Sequence, residues 1–168
     1  IPEDRRKSGL VCDMTITENI SLPALKKYSN ALFIKKSLEN LTAQQQCENL
    51  NIKTPSTRAI VRNLSGGNQQ KVVLAKWLSL EPKVIIFDDD FFKISVFVGA
   101  KAQIYHLMRD LADSGVAVII ISSDMEEILG VSDRIAVMHQ GQIMDILEPN
   151  QSSEEKIMQL AVGNKKAV

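Results

Sequence analysis

At 168 residues the chain is long enough to bury the core of one ordinary domain. Its 45% apolar and 24% charged residues describe a globular protein rather than a disordered one. Twenty basic and twenty acidic residues cancel, so no global field draws the chain to nucleic acid or to an anionic membrane. The two cysteines, Cys12 and Cys47, match no metal-ligand spacing and read as reduced thiols of a cytosolic protein. No apolar run reaches the ~20 residues of a membrane-spanning helix, and no signal peptide is present, so any membrane role is expected to be peripheral. The text begins at Ile1 in what looks like the end of a strand, as a piece of a longer chain would.

In chain order, residues 1–9 carry Pro2 and the charged cluster Glu3-Asp4-Arg5-Arg6-Lys7, a solvated loop by composition. Thr15 to Ile20 opens a helix that Pro23 limits or restarts. From Leu25 to Lys53 the pattern is helical but weak, through Leu32, Phe33, Ile34, Leu38 and Leu41, until Thr54-Pro55-Ser56 breaks it. Residues 17–63 read as a small helical subdomain, which the next helix extends to residue 80. That helix follows Leu64-Ser65-Gly66-Gly67, and its Val73, Leu74, Trp77 and Leu78 share one face predicted to be core. Val84 to Phe87 is a short apolar run expected to be a strand buried on both faces, and it ends in Asp88-Asp89-Asp90. Gly99 to Asp113 reads as a helix with Ile104, Leu107, Met108 and Leu111 on one stripe, closed by Gly115. Val116 to Ile121 reads as a second buried strand. Ser123 to Leu129 reads as a short helix in which Ser123 and Glu126 have capping-box spacing. Arg134–Met138 and Gln142–Leu147 flank His139-Gln140-Gly141 as a hairpin, and a last amphipathic helix runs from about Ser153 to Val162.

Two places carry chemistry. A serine and two glycines at the mouth of a helix make an anion site, because first-turn amides have no intrahelical partner and the helix dipole adds partial positive charge. Glycine there lets the backbone approach an oxyanion that a Cβ would hold away. The second place follows from topology: alternating helices and strands mean an α/β fold with a parallel sheet and a helical insertion. Ligands of such sheets sit at the carboxyl ends of the strands, where Asp88-Asp89 and Ser122-Ser123 both fall. The histidines, His106 mid-helix and His139 in a turn, read as structural.

Leu64-Ser65-Gly66-Gly67-Asn68-Gln69-Gln70-Lys71 resembles the signature motif of ATP-binding-cassette ATPases, and Val84 to Asp89 resembles their Walker B element. Ile1 to Arg5, Thr17 to Leu22, Lys53 to Ser56, Gly99-Ala100-Lys101, Ile121 to Met125, Ser132-Asp133-Arg134 and Leu160 to Gly163 are similar to one branch, the second nucleotide-binding domain of bacterial monosaccharide-import ATPases, in particular the ribose importers. The resemblance implies a partial P-loop NTPase-like sheet over 1–168, with a helical subdomain and signature at 17–80 and a Walker B and carboxy-terminal α/β part at 81–168. It assigns Ser65, Gly66, Gly67 and Gln69 to nucleotide contact, Asp88 to Mg²⁺ through the nucleotide, Asp89 to the catalytic carboxylate position and Ser123 to the switch position. It also implies ATP and Mg²⁺ as cofactors in an assembled transporter. The implied partners are a first nucleotide-binding domain, an inner-membrane permease and, indirectly, a periplasmic sugar-binding protein, with no nucleic acid; the implied location is the cytoplasmic face of the inner membrane.

The departures are as informative. Asp89 stands where the family carries glutamate, Asp90 where it carries proline, and Ser95 best matches the D-loop aspartate, with Phe97-Val98 resembling an insertion. Ser123 replaces the usual switch histidine, and a hydroxyl cannot hold a proton near neutral pH as imidazole can. No G-x-x-x-x-G-K-[ST] occurs, so the sequence lacks the P-loop whose amides and lysine hold the β- and γ-phosphates. The chain is therefore expected to be the carboxy-terminal part of a ribose-type import ATPase, inactive alone. A non-enzymatic decayed remnant or interaction module is the alternative. An ATPase head of the DNA-repair class is a third reading, which the absence of heptad coiled coils disfavours.

Overall fold

The computed structural model describes residues 1, 8–30, 33–88 and 98–164, with backbone alone at 98–100. Two compact units divide the chain, Ile1–Ile121 and Ser122–Val168.

The first unit begins with helix α1 (Ile16–Ser21), whose start is fixed by a capping box: Glu18 N donates to Thr15 Oγ1 (3.2 Å) and Thr15 N donates to Glu18 Oε2 (2.8 Å). Asn19, fully buried, donates through Nδ2 to Val11 O and Thr15 O and accepts from Val11 N, so the incoming segment is locked onto the helix. Pro23 sits in a 3₁₀ turn, Leu22–Ala24, that separates α1 from α2 (Leu25–Tyr28).

The weak helical pattern after Leu25 resolves differently from the sequence reading. Ser29–Asn30 (β1) and Phe33–Ile34 (β2) pair as a small antiparallel hairpin, and α3 (Lys36–Asn49) buries Glu39, Ala43 and Cys47. Leu38 and Leu41 face solvent, and Leu32 lies outside the described residues. The reason is spacing: Phe33-Ile34 is contiguous, and the i, i+4, i+8 stripe of α3 is made of one acid and two small residues. Ser21 Oγ donates to the buried Glu39 carboxylate and so satisfies that acid.

Helix α4 (Gly66–Leu78) runs through the core, with Val72, Val73, Leu74 and Ala75 all buried and α1 packed along it. Trp77 and Leu78 are only partly buried against that cluster, so the core face is centred a residue or two earlier than the sequence suggested. Lys76 is buried on the same helix, donating to Gly9 O (2.8 Å) with its ammonium 5.7 Å from the Trp77 ring centroid.

Strand β3 (Val84–Phe87), helix α5 (Val98–Asp113) and strand β4 (Ala117–Ile120) form a parallel crossover unit, in register from Val84↔Ala117 to Phe87↔Ile120. Ile85 and Phe87 enter the core with Ile104 and Met108 of α5. Val84, Ile86, Ile119 and Ile121 are about half-exposed. The expectation of strands buried on both faces is therefore corrected. Continuous apolar runs signal two covered faces, and among the described residues one face of this pair of strands is left partly exposed.

The second unit packs α6 (Met125–Val131), the hairpin β5 (Ile135–His139) and β6 (Gln142–Leu147), and α7 (Glu154–Ala161) around Ile135, Val137, Leu147, Ile157 and Leu160. Its turn residues Gln140 and Gly141 both have positive φ, 47° and 77°, the geometry that lets two-residue hairpins follow strand twist. The expected Ser123 cap is also corrected. Asp124 caps α6 by accepting from Glu127 N (3.2 Å), one residue later than the Ser123–Glu126 spacing indicated.

Candidate functional site

The amino end of α4 is built from the residues the sequence singled out. Ser65 is the N-cap in extended backbone (φ −60°, ψ 155°), and Gln69 N makes the first intrahelical bond to its carbonyl (2.9 Å). The amides of Gly66, Gly67 and Asn68 precede that bond and have no intrahelical carbonyl to meet. Ser65 Oγ does not cap them either; it accepts from Asn68 Nδ2 (3.0 Å) and is exposed. A Cβ built on Gly67 would meet nothing within 4 Å, so the space beside that residue is open. Backbone donors, a hydroxyl and the positive end of a 13-residue helix thus converge on one exposed place.

Neighbouring residues hold this arrangement. Asn68 Oδ1 accepts from Lys53 N (2.9 Å), tying the 51–57 loop to the serine through one side chain. Gln69 is 1% exposed, and its Nε2 donates to Val61 O (3.2 Å), Arg62 O (3.4 Å) and Leu64 O (3.1 Å). Its amide braces the approach to the signature from inside and does not face the open helix end. Lys71 Nζ donates to Asn51 O (3.0 Å), and burial, with the nearby Lys53 charge, lowers its pKa. The parts played by Asn68 and Lys53 were not read from the sequence. Asn68 stands three residues after Ser65, a capping-box interval, and that spacing was the available signal.

Asp88 is exposed and immediately follows β3; the pairing Phe87↔Ile120 puts it at the same sheet end as Ile121. The amino group of Ile1 donates to Ile86 O (2.7 Å); burial lowers its pKa, and the Asp88 charge partly opposes this. Asp89, with Asp90, Ser95 and Phe97, lies outside the described residues. Ser123 is exposed. Beside it the Ser122 hydroxyl donates to Glu127 Oε2 (2.7 Å) and accepts from Asp124 N (3.0 Å). Among the described residues no three His, Cys, Asp or Glu side chains converge on a metal position. His139 serves the second unit, its Nδ1 lying 2.7 Å from Ala161 O at the end of α7.

A family model described as ABC transporter matches residues 4–91. The ribose import ATP-binding protein of Lactococcus lactis subsp. lactis is 51% identical over 164 residues, which is 97% of this chain and 33% of that protein. A ribose import ATP-binding protein of Streptococcus agalactiae is 47% identical over 98% of this chain and 33% of its own length. A putative ribose/galactose/methyl galactoside import ATP-binding protein of Pseudomonas fluorescens is 43% identical over 97% and 31%. The chain thus spans about a third of the length of the curated relatives it matches. Among solved structures, a dimeric ATP-binding cassette bound to ADP and Pi superposes with a TM-score of 0.68 over 86% of this chain and 60% of that one, at 21% identity. A putative metal-chelate type ABC transporter in an inward-facing conformation gives 0.70 over 89% and 59%, at 17% identity. At such identities the likeness shows the cassette fold.

Proposed function

The chain belongs to the ABC transporter family, and from that premise we propose that it is the carboxy-terminal part of the second nucleotide-binding domain of a ribose-type import ATPase. In this reading Ser65 Oγ and the amides of Gly66 and Gly67 contact the terminal phosphate of an ATP held by a first nucleotide-binding domain. Asp88 binds Mg²⁺ through the nucleotide at the other site, Asp89 occupies the water-polarising position and Ser123 the switch position. The observation that carries the proposal is the amino end of α4, where the serine hydroxyl is outside the cap and the space beside Gly67 is open.

The residues present fit an anionic group: donors converge, and no described carboxylate forms a hydrogen bond at Ser65 or Asn68. ATP supplies the phosphoryl group whose hydrolysis drives transport, with Mg²⁺ bridging its oxygens. This chain's residues would orient and neutralise. Gln69 holds the 61–64 turn, Asn68 fixes the serine rotamer and Gly67 leaves room for close approach. A P-loop, its strand and its helix must come from residues other than 1–168, and the partly exposed apolar face of β3 and β4 is suited to contact with them. The chain alone is therefore inactive. In the assembled importer it lies at the cytoplasmic face of the inner membrane beneath a permease served by a periplasmic binding protein; no described helix is long and apolar enough to cross a membrane. The test is ribose uptake by cells that carry the permease and the remaining two-thirds of a ribose-import relative, with this chain supplied as the final third. Restored uptake, lost with Ser65→Arg, is the expected result. No uptake with a correctly assembled complex would instead favour a decayed remnant.

A further inference from the structure

The direction of the Ser65 hydroxyl is set by a relay that begins in the 51–53 backbone. Asn68 Oδ1 accepts from Lys53 N (2.9 Å), and Asn68 Nδ2 donates to Ser65 Oγ (3.0 Å). A backbone N–H can only donate, so the Asn68 atom that faces Lys53 is its oxygen, and the NH₂ group is what remains for the serine. The Lys53 amide is itself held in place. Ile52 beside it is buried and its N donates to Cys47 O (2.8 Å), while Asn51 O accepts from Lys71 Nζ (3.0 Å).

Two consequences for Ser65 follow. A hydroxyl carries one hydrogen and two lone pairs, and Asn68 engages a lone pair. The hydrogen is left over, and among the described residues no acceptor takes it. A serine at an N-cap ordinarily turns its oxygen onto the amides of the first turn. Ser65 makes no such bond, and the pull of Asn68 Nδ2 holds its oxygen off them.

We infer that Asn68 is a positioning residue that sets the polarity of the Ser65 hydroxyl. It makes Ser65 Oγ an acceptor toward the protein and therefore a hydrogen donor toward a phosphate, and it leaves the first-turn amides to the same anion. The inference rests on the reading of Ser65 as a phosphate contact. It goes beyond a fixed rotamer, because a side chain that held the serine by accepting from it would turn the hydrogen away from the ligand. Asn68→Asp creates that case in nearly the same shape. Its carboxylate still accepts from Lys53 N, but the second oxygen takes the Ser65 hydrogen and places negative charge beside the anion.

The test mixes the 168-residue chain with a cassette that carries a P-loop and follows the increment in Mg²⁺-dependent ATP hydrolysis. Ser65→Ala should lower the increment roughly tenfold, the loss of one charge-assisted hydrogen bond. Asn68→Ala should lower it about fivefold in the parent, but less than about twofold where Ser65 is already replaced by alanine, because it acts through the hydroxyl. Asn68→Asp should be worse than Asn68→Ala. Its melting temperature should not fall, since a carboxylate suits the first turn of a helix. Exchange of the Lys53 amide should speed up in Asn68→Ala and keep the parent's rate in Asn68→Asp. A residue that only braced the loop would leave Asn68→Asp at the parent's level of hydrolysis. That result, equal losses from Asn68→Ala with and without the Ser65 hydroxyl, or Lys53 exchange unchanged by Asn68→Ala would each overturn the inference and leave the nucleotide reading standing. No increment with the parent chain, or one that Ser65→Ala leaves intact, would overturn the nucleotide reading and this inference with it.

Discussion

Gln69→Leu separates bracing of the signature approach from contact with a ligand. Leucine keeps nearly the same volume and removes only the amide. Val61 O retains a bond from Leu64 N (3.1 Å), whereas Arg62 O and Leu64 O lose the Gln69 donor. An unsatisfied buried carbonyl costs about 1–3 kcal/mol, and both of these are only part-buried, so about 2 kcal/mol in total is expected. For a chain of this size that corresponds to a fall in Tm of about 4–8 °C. Thermal denaturation by circular dichroism measures the loss, and amide exchange at residues 64–67 should speed up in parallel. A Tm within about 1 °C of the parent would refute the bracing role.

Three further outcomes follow from the packing. Burial lowers the Lys76 pKa below its usual 10.5, so in the alkaline range just below that value the unfolded chain holds a proton that the folded chain has released; stability should rise with pH there. Lys76→Met should flatten that rise in pH-dependent urea melts, Lys71 leaving a residue of the same sign, and an unchanged slope would count against it. Thr15→Ala removes the capping box of α1 and should cost about 1 kcal/mol in urea denaturation, with the acid-side loss caused by the lowered Glu18 pKa shrinking below pH 4.5. The isolated chain should be poorly soluble because one face of β3 and β4 is partly exposed. Val84→Thr with Ile119→Thr should reduce self-association in light scattering, and unchanged scattering would show that another surface drives it.

Local signals were legible where the chemistry is local. The helix opening at Thr15, Pro23, the Gly115 stop and the Gln140-Gly141 turn all act through neighbouring atoms, and the structure has each of them. The start of α4 after Ser65 was legible because a serine and two glycines before an apolar periodic run mark a helix mouth. The misreadings lie where burial depends on what a face packs against. Val84 and Ile86 are as apolar as buried strand residues, yet both are about half-exposed, and no periodicity within the strand could report that. Leu38 and Leu41 carry the weak helical pattern in the sequence, while the buried stripe of α3 uses Glu39, whose partner Ser21 lies 18 residues away. Gln69 was assigned to nucleotide from its place in a motif; its inward rotamer is set by carbonyls of the preceding turn, which sequence spacing does not display.

The most direct measurement is Mg²⁺-dependent ATP hydrolysis by the purified chain, alone and mixed with a cassette that carries a P-loop. The account predicts no turnover alone, turnover above the cassette's own rate in the mixture, and loss of that increment with Ser65→Arg. Turnover by the chain alone, or a mixture in which Ser65→Arg performs as well as the parent, would contradict it.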